Sequence, residues 1–193
     1  FMATISKIPG TPRREPVPPA FGLLRRLELE ETLVALLSDG LITDEDAKRV
    51  RADARTPRSK LELHPLVIIA NLKLPNAQLP DKPLSLEVLT QWLAKKAGLN
   101  YLKIDPMKID TASVTQVISM AYAQRYKILP IAVSEINVVF ATAEPFDTRW
   151  IHDLAHILRR ETQRVVSNPL DVNRYLTEFY GVQRSIQKAR DAK

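Results

Sequence analysis

The sequence predicts an α+β protein: an N-terminal helical pair joined by a Pro-rich connector to a small three- to four-stranded sheet flanked by helices. Three observations predict it. Leucines recur near helical spacing between Phe21 and Arg55, prolines punctuate residues 56–83, and residues 84–181 alternate amphipathic helical stretches with short apolar runs of strand length. A chain of 193 residues with 45% hydrophobic and 26% charged residues can bury one core of ordinary size, or one core plus a small helical appendage.

Residues 1–20 hold Pro9, Pro12, Pro16, Pro18 and Pro19 and have little to bury, so they read as a mobile Pro-rich tail. In residues 21–55, Leu23, Leu24, Leu27, Leu33, Leu36 and Leu37 mark a helical face, with Glu28–Glu31 as a possible division. Gly40 reads as the left-handed residue that ends a helix. Thr43, with Asp46 three residues on, opens a second, short and polar helix reaching about Arg55. A helical pair this small must pack on something. In the connector, residues 56–83, Pro57, Pro65, Pro75, Pro80 and Pro83 exclude a long helix, and Leu66–Ala70 reads as either a short helix or a strand.

The main module spans 84–181. Leu86, Leu89, Leu93 and Ala97, beside Trp92, predict an amphipathic helix ended by Gly98, and Tyr101–Ile104 a short strand. Asp110 is the expected cap of one helix carrying Val114, Val117, Ile118, Ala121 and Tyr122. Ile128–Val133 and Val138–Ala141 flank Ser134–Asn137 as a β-hairpin. Phe146, Trp150, Leu154 and Ile157 predict a helix and Arg164–Val166 a strand. Asn168-Pro169 with Asp171 opens a last helix whose Leu170, Val172, Leu176 and Phe179 face the core. Residues 182–193 read as a basic linker.

No constellation for catalysis accompanies this order. The glycines are Gly10, Gly22, Gly40, Gly98 and Gly181, and none begins a phosphate loop or a dinucleotide fingerprint. The absence of cysteine removes disulfides and thiolate chemistry. No apolar run approaches the roughly 18–20 residues that span a bilayer. His152 and His156 stand at metal-binding spacing, but Asp153 follows the first where the metalloprotease pattern needs glutamate, so they read as surface residues. Asp105 and Asp110 read as a turn acid before proline and a helix cap, in preference to an acid pair. Catalytic, cofactor and metal sites are therefore expected to be absent. Arg159, Arg160 and Arg164, with Arg125 and Lys127 elsewhere, are the candidate partner surface.

The net charge of +6 sits mostly at the ends. Lys7, Arg13, Arg14, Arg25 and Arg26 face only Glu15 in residues 1–27, and Arg184, Lys188, Arg190 and Lys193 face only Asp191 in residues 181–193. The body between is close to neutral, which argues against nucleic acid as a partner.

Four runs in this order resemble a known family. They are Trp92-Leu93-Ala94 with Gly98-Leu99-Asn100-Tyr101 and Ile104-Asp105-Pro106; Tyr126-Lys127-Ile128-Leu129-Pro130-Ile131; Ala141-Thr142-Ala143-Glu144-Pro145-Phe146-Asp147; and Val165-Val166-Ser167-Asn168-Pro169 with Tyr180-Gly181. Together they resemble the N-terminal domain of the type II secretion and type IV pilus assembly ATPases. The resemblance implies a fragment lacking the ATPase core of a hexameric protein, with residues 182–193 leading toward that core. It implies a non-catalytic docking or regulatory region, cytoplasmic and only peripherally associated with the inner membrane. Its partner would be the cytoplasmic domain of an inner-membrane assembly protein. The alternative is a cyclic di-GMP receptor domain. Leu36, Leu37, Gly40, Leu41 and Ile42 match that ligand's family motif, but Glu31-Thr32-Leu33 replaces its Arg-Leu-Gly start, and Ala47, Arg51 and Ala54 replace its later leucines and glutamine.

Overall fold

The computed structural model describes residues 25–55 and 63–191. The expected Pro-rich tail, Leu23, Leu24, part of the connector and residues 192–193 lie outside them. The N-terminal pair is α1 (Leu29–Ser38) and α2 (Asp44–Ala54). The acidic run does divide the segment: residues 25–28 are not helical, and α1 begins inside the run. Extended Glu28 precedes α1, and Glu30 and Glu31 occupy its first turn, where the helix dipole favours acids. Gly40 takes the left-handed conformation at φ +67°, and Thr43 and Asp46 form the full reciprocal capping box of α2.

The connector is more ordered than its prolines suggest. Leu66–Ala70 falls within helix α3 (Pro65–Asn71), with proline at the first helical position, where its missing N–H is harmless. A two-stranded antiparallel ribbon follows, β1 (Pro75–Asn76) and β2 (Leu79–Pro83). Prolines are tolerated there because both strands are edges.

Ser85 caps α4 (Leu86–Ala97), and Gly98 ends it at φ +65°. The main sheet is ordered β3-β6-β5-β4, from β3 (Asn100–Tyr101), β4 (Ile128–Val133), β5 (Asn137–Thr142) and β6 (Glu161–Val166). The β4–β5 pair is the expected hairpin, closed by Ser134 and Asn137. β5 and β6 run parallel through α7 (Arg149–Leu158), and β3 adds parallel to β6. β3 is shorter than expected: Leu102 N–H still donates to Val166 O, but pairing ends at Tyr101.

Further expectations are corrected. The single helix after Asp110 is two, α5 (Thr111–Val114) and α6 (Met120–Tyr126). Ser119 caps the second, and the Tyr180 hydroxyl donates to Ile118 O in the break. Phe146 precedes α7, and Ile157, expected in its apolar stripe, is 70% exposed. Leu170, expected in the core, is 49% exposed, because it lies in the first turn of α8 on the side away from Val172 and Leu176. That helix (Pro169–Asp191) continues through Gly181 into the segment read as a linker.

Among the described residues two apolar cores result. One joins the β4–β5 hairpin to Trp150, Leu154, Val172, Leu176 and Phe179. The other joins Leu33 and Leu36 of α1, Ala47 and Val50 of α2, α3, and Leu89 and Leu93 of α4 to Phe146 and Val166. Adjacent Val165 and Val166 of β6 point to opposite cores, as strand alternation requires. The N-terminal helical pair therefore packs on the α+β module.

Trp150 sits in the first core and Trp92 packs against the second. The shared sheet predicts a single unfolding transition. Leu36→Ala should lower stability by about 2–5 kcal/mol. Variants retaining only Trp92 or only Trp150 should then report coincident denaturation curves; separated curves would show that the cores unfold independently.

Candidate functional site

The residues after β5 form the junction of the molecule. Thr142 Oγ1 accepts from Glu144 N, and Asp147 N donates back to Glu144 O, folding Ala143–Asp147 into a tight loop. Asp147 is buried and binds Arg149 through Nε (2.7 Å) and Nη2 (2.6 Å). Arg164 Nη1 donates to Pro145 O at 2.7 Å, and Phe146 enters the second core.

Two distant segments close on this loop. The backbone N–H of Leu27, just before α1, donates to Glu144 Oε2 at 2.8 Å in a buried bond. His64, the cap of α3, accepts from Leu66 N at Nδ1, so its proton lies on Nε2 and is donated to Ala143 O at 2.9 Å. His64 Nε2 also lies 3.5 Å from Glu144 Oε1. Burial holds the imidazole down to about 4, so at neutral pH this approach is not an ion pair. Burial also pushes the Glu144 carboxyl up to about 7, against the Leu27 N–H and the charge of Arg26. A cavity of about 290 Å³ opens beside these groups, lined by Arg26, Leu27, Leu63, His64, Pro65, Lys127, Ala143, Glu144, Pro169, Val172 and Asn173.

The expected partner arginines are not equivalent. Arg159 ends α7 in the left-handed region at φ 50° and is exposed; Arg160 follows it. Arg164 is half-buried on the Pro145 carbonyl, where it serves the fold. Arg125 lies in the last turn of α6, and Lys127 is the residue that ends it.

The residues matching the cyclic di-GMP motif form a packed corner. Leu36 and Ile42 are buried, and Leu37 and Leu41 pack against the same core. Asp39 O accepts from Gln78, and the Asp39 carboxylate accepts from Trp92 Nε1 and Lys96 Nζ, both at 2.7 Å. Burial opposes ionisation of Asp39, but the Lys96 and Trp92 bonds prevail and hold its pKa below the ordinary value. Glu31, in place of the motif's arginine, is ion-paired to Arg25.

His152 and His156 stack edge to face on the exposed side of α7, and among the described residues no group of three or more potential metal ligands converges. Asp105 and Asp110 cap turns, as read from the sequence. His64 and Glu144 were not singled out. The available signal was an acid inside the otherwise uncharged run Ala141–Phe146, which can be buried only if a distant donor meets it.

A family model, that of the MshEN domain, matches residues 97–186, the sheet with the helices around it. The chain is 33% identical over 167 residues to the type IV pilus assembly ATPase TfpB of Acinetobacter baylyi. That match covers 86% of this chain and 28% of the relative. Among solved structures, that of MshE with cdg is similar at a TM-score of 0.52 and 15% identity, over 80% of this chain and all of the other. The N-terminal domain of XpsE aligns at a TM-score of 0.44 and 16% identity, over 79% of this chain and 96% of that one.

The buried pair predicts an unusual pH response. Between about pH 4.5 and 6.5 the unfolded chain carries the pair's single proton on His64 and the folded chain carries it on Glu144. The raised Glu144 value alone makes stability fall as pH rises from about 4.5 to about 7. The lowered His64 value alone makes it rise from about pH 4 to 6.5. The two trends cancel, so the wild-type chain should be nearly insensitive to pH across that window. Glu144→Gln should unmask a gain on the order of 3 kcal/mol from pH 4 to 6.5, and His64→Asn a loss of similar size from pH 4.5 to 7. Denaturant titrations at several pH values check both; parallel profiles for all three proteins would contradict the shared-proton reading.

Proposed function

From the premise that residues 97–186 form an MshEN domain, in a chain homologous over 86% of its length to a type IV pilus assembly ATPase, we propose that this N-terminal region docks and regulates a secretion or pilus ATPase without catalysing a reaction itself. The partner is the cytoplasmic domain of an inner-membrane assembly protein, and the whole protein is a hexameric ATPase held peripherally at the membrane. The observation that carries this reading is the junction at Glu144. Its strong polar groups are engaged in joining chain segments, and the 193 residues contain no phosphate loop. Among the described residues no helix is long and apolar enough to cross a membrane.

A second reading, a cyclic di-GMP receptor, draws on the similarity to MshE solved with cdg. The corner at Leu36, Leu37, Gly40, Leu41 and Ile42 keeps the motif's apolar residues, while the acidic Glu31 weakens that reading electrostatically.

The purified chain should bind the cytoplasmic domain of its membrane partner with a Kd in the micromolar range or tighter, about −8 kcal/mol. It should hydrolyse no ATP above buffer and give no calorimetric heat with cyclic di-GMP at about 100 μM. Hydrolysis by this chain would end the docking reading, and heat with the dinucleotide would favour the second.

A further inference from the structure

The docking reading leaves open which surface receives the partner, and a cationic face bears on that: it joins Arg125 and Lys127, named from the sequence as partner candidates, to Arg26 and Arg149, which were not. Arg26 Nη2 donates to Arg125 O at 2.6 Å. The Arg125 guanidinium lies 5.4 Å from the Tyr126 ring centroid and that of Arg149 5.9 Å, so two cations share one aromatic ring. Arg26 and Lys127 line the cavity beside Glu144. The face is thus contiguous from Arg149 through Tyr126 and Arg125 to Arg26 and Lys127, although its residues come from three separate parts of the chain.

Among the described residues most of its charge lacks a direct ion-pair partner. Asp147 pairs with Arg149, but among the described residues no carboxylate lies within 4 Å of Arg26, Arg125 or Lys127. Glu144, which lines the cavity with Arg26 and Lys127, is buried and holds the Leu27 amide. Lys127 is also a lysine in the left-handed region at φ 53°, where glycine is the cheaper residue. The cavity, at about 290 Å³, falls at the lower limit of the roughly 300–1,000 Å³ typical of ligand pockets, and its walls are mixed: Leu27, Pro65 and Val172 beside Arg26, Lys127 and Glu144. It suits one inserted side chain better than a large cofactor.

We propose that this face, Arg26, Arg125, Lys127 and Arg149 around Tyr126, receives an acidic segment of the protein partner, one side chain of which enters the cavity. The inference rests on the docking reading and names its surface. The acidic residues meet cations already held in place by a backbone carbonyl and an aromatic ring, so little side-chain freedom is lost on binding.

The test uses the full chain and the cytoplasmic domain of the inner-membrane assembly protein of the same system, titrated at about 50 and 300 mM NaCl. The wild-type Kd should weaken about tenfold or more with salt. Lys127→Gly removes a charge where glycine is conformationally favoured, so lost binding cannot be attributed to unfolding. Combined with Arg125→Gln, it should weaken the Kd at least tenfold at low salt and flatten the salt response. Arg159→Gly, the same kind of change at φ 50° on the arginine surface expected from the sequence, should leave the Kd unchanged.

Wild-type affinity in the Lys127→Gly/Arg125→Gln variant, or a loss confined to Arg159→Gly, overturns the assignment while leaving the docking reading intact. Phosphatidylglycerol vesicles separate the membrane alternative: if the double variant loses vesicle binding yet keeps the partner domain, the face is a lipid surface and the inference fails. A wild-type chain that does not bind the partner domain at all refutes the docking reading and this inference with it.

Discussion

One buried carboxylate decides how the two halves of the molecule meet. Glu144 stands in a loop whose neighbours are buried, where an unpartnered acid would be unfavourable by several kcal/mol. Its partner is the backbone N–H of Leu27, more than a hundred residues earlier in the chain. Only proline at position 27 would remove this backbone donor, and the bond ties the start of the N-terminal helical pair to the sheet at that point. His64 adds a second tie one residue away, at Ala143 O, and Arg164 of β6 holds the loop itself through Pro145 O. The apolar contacts among α1, α3, α4 and β6 supply most of the burial, and the polar ties set the register in which it occurs.

This arrangement bears on function through what it leaves exposed. Placing Leu27 on Glu144 brings Arg26 to the carbonyl of Arg125, and so adds an N-terminal cation to a face otherwise formed by α6 and α7. The clasp and the cationic face are one construction. The buried side joins the halves, and the solvent side carries charge from both. The matched domain, residues 97–186, contains the sheet and the loop but neither Leu27 nor His64.

Local structure was legible in the sequence wherever a single residue type decides the backbone. Gly40 and Gly98 end helices in the left-handed region, Thr43 with Asp46 forms its capping box, and Ser134 and Asn137 close the hairpin. These are short-range effects that the residues themselves specify. Periodicity failed where tertiary contact overrides it. Ile157 and Leu170 match apolar stripes yet lie exposed, because α7 and the start of α8 present narrower faces to the sheet than a continuous helical pattern implies. The expected single helix after Asp110 breaks where Tyr180, some sixty residues later, takes the Ile118 carbonyl. The Glu144 junction was illegible for the same reason. A motif containing the acid was visible, but its amide donor and its histidine neighbour carry no local signature. Of the expected arginine surface, Arg164 proved to be a structural ligand of the loop, and Lys127 and Arg125 gain their neighbours only in three dimensions.

The most direct measurement of this account is amide hydrogen exchange at Leu27 in the wild-type chain. If the Glu144 bond fastens the helical pair to the body, the Leu27 amide exchanges only with global unfolding, as slowly as the paired amides of β5. Exchange at Leu27 as fast as at an exposed amide, with β5 still protected, would show that the N-terminal helices leave the sheet without unfolding it and would contradict the account.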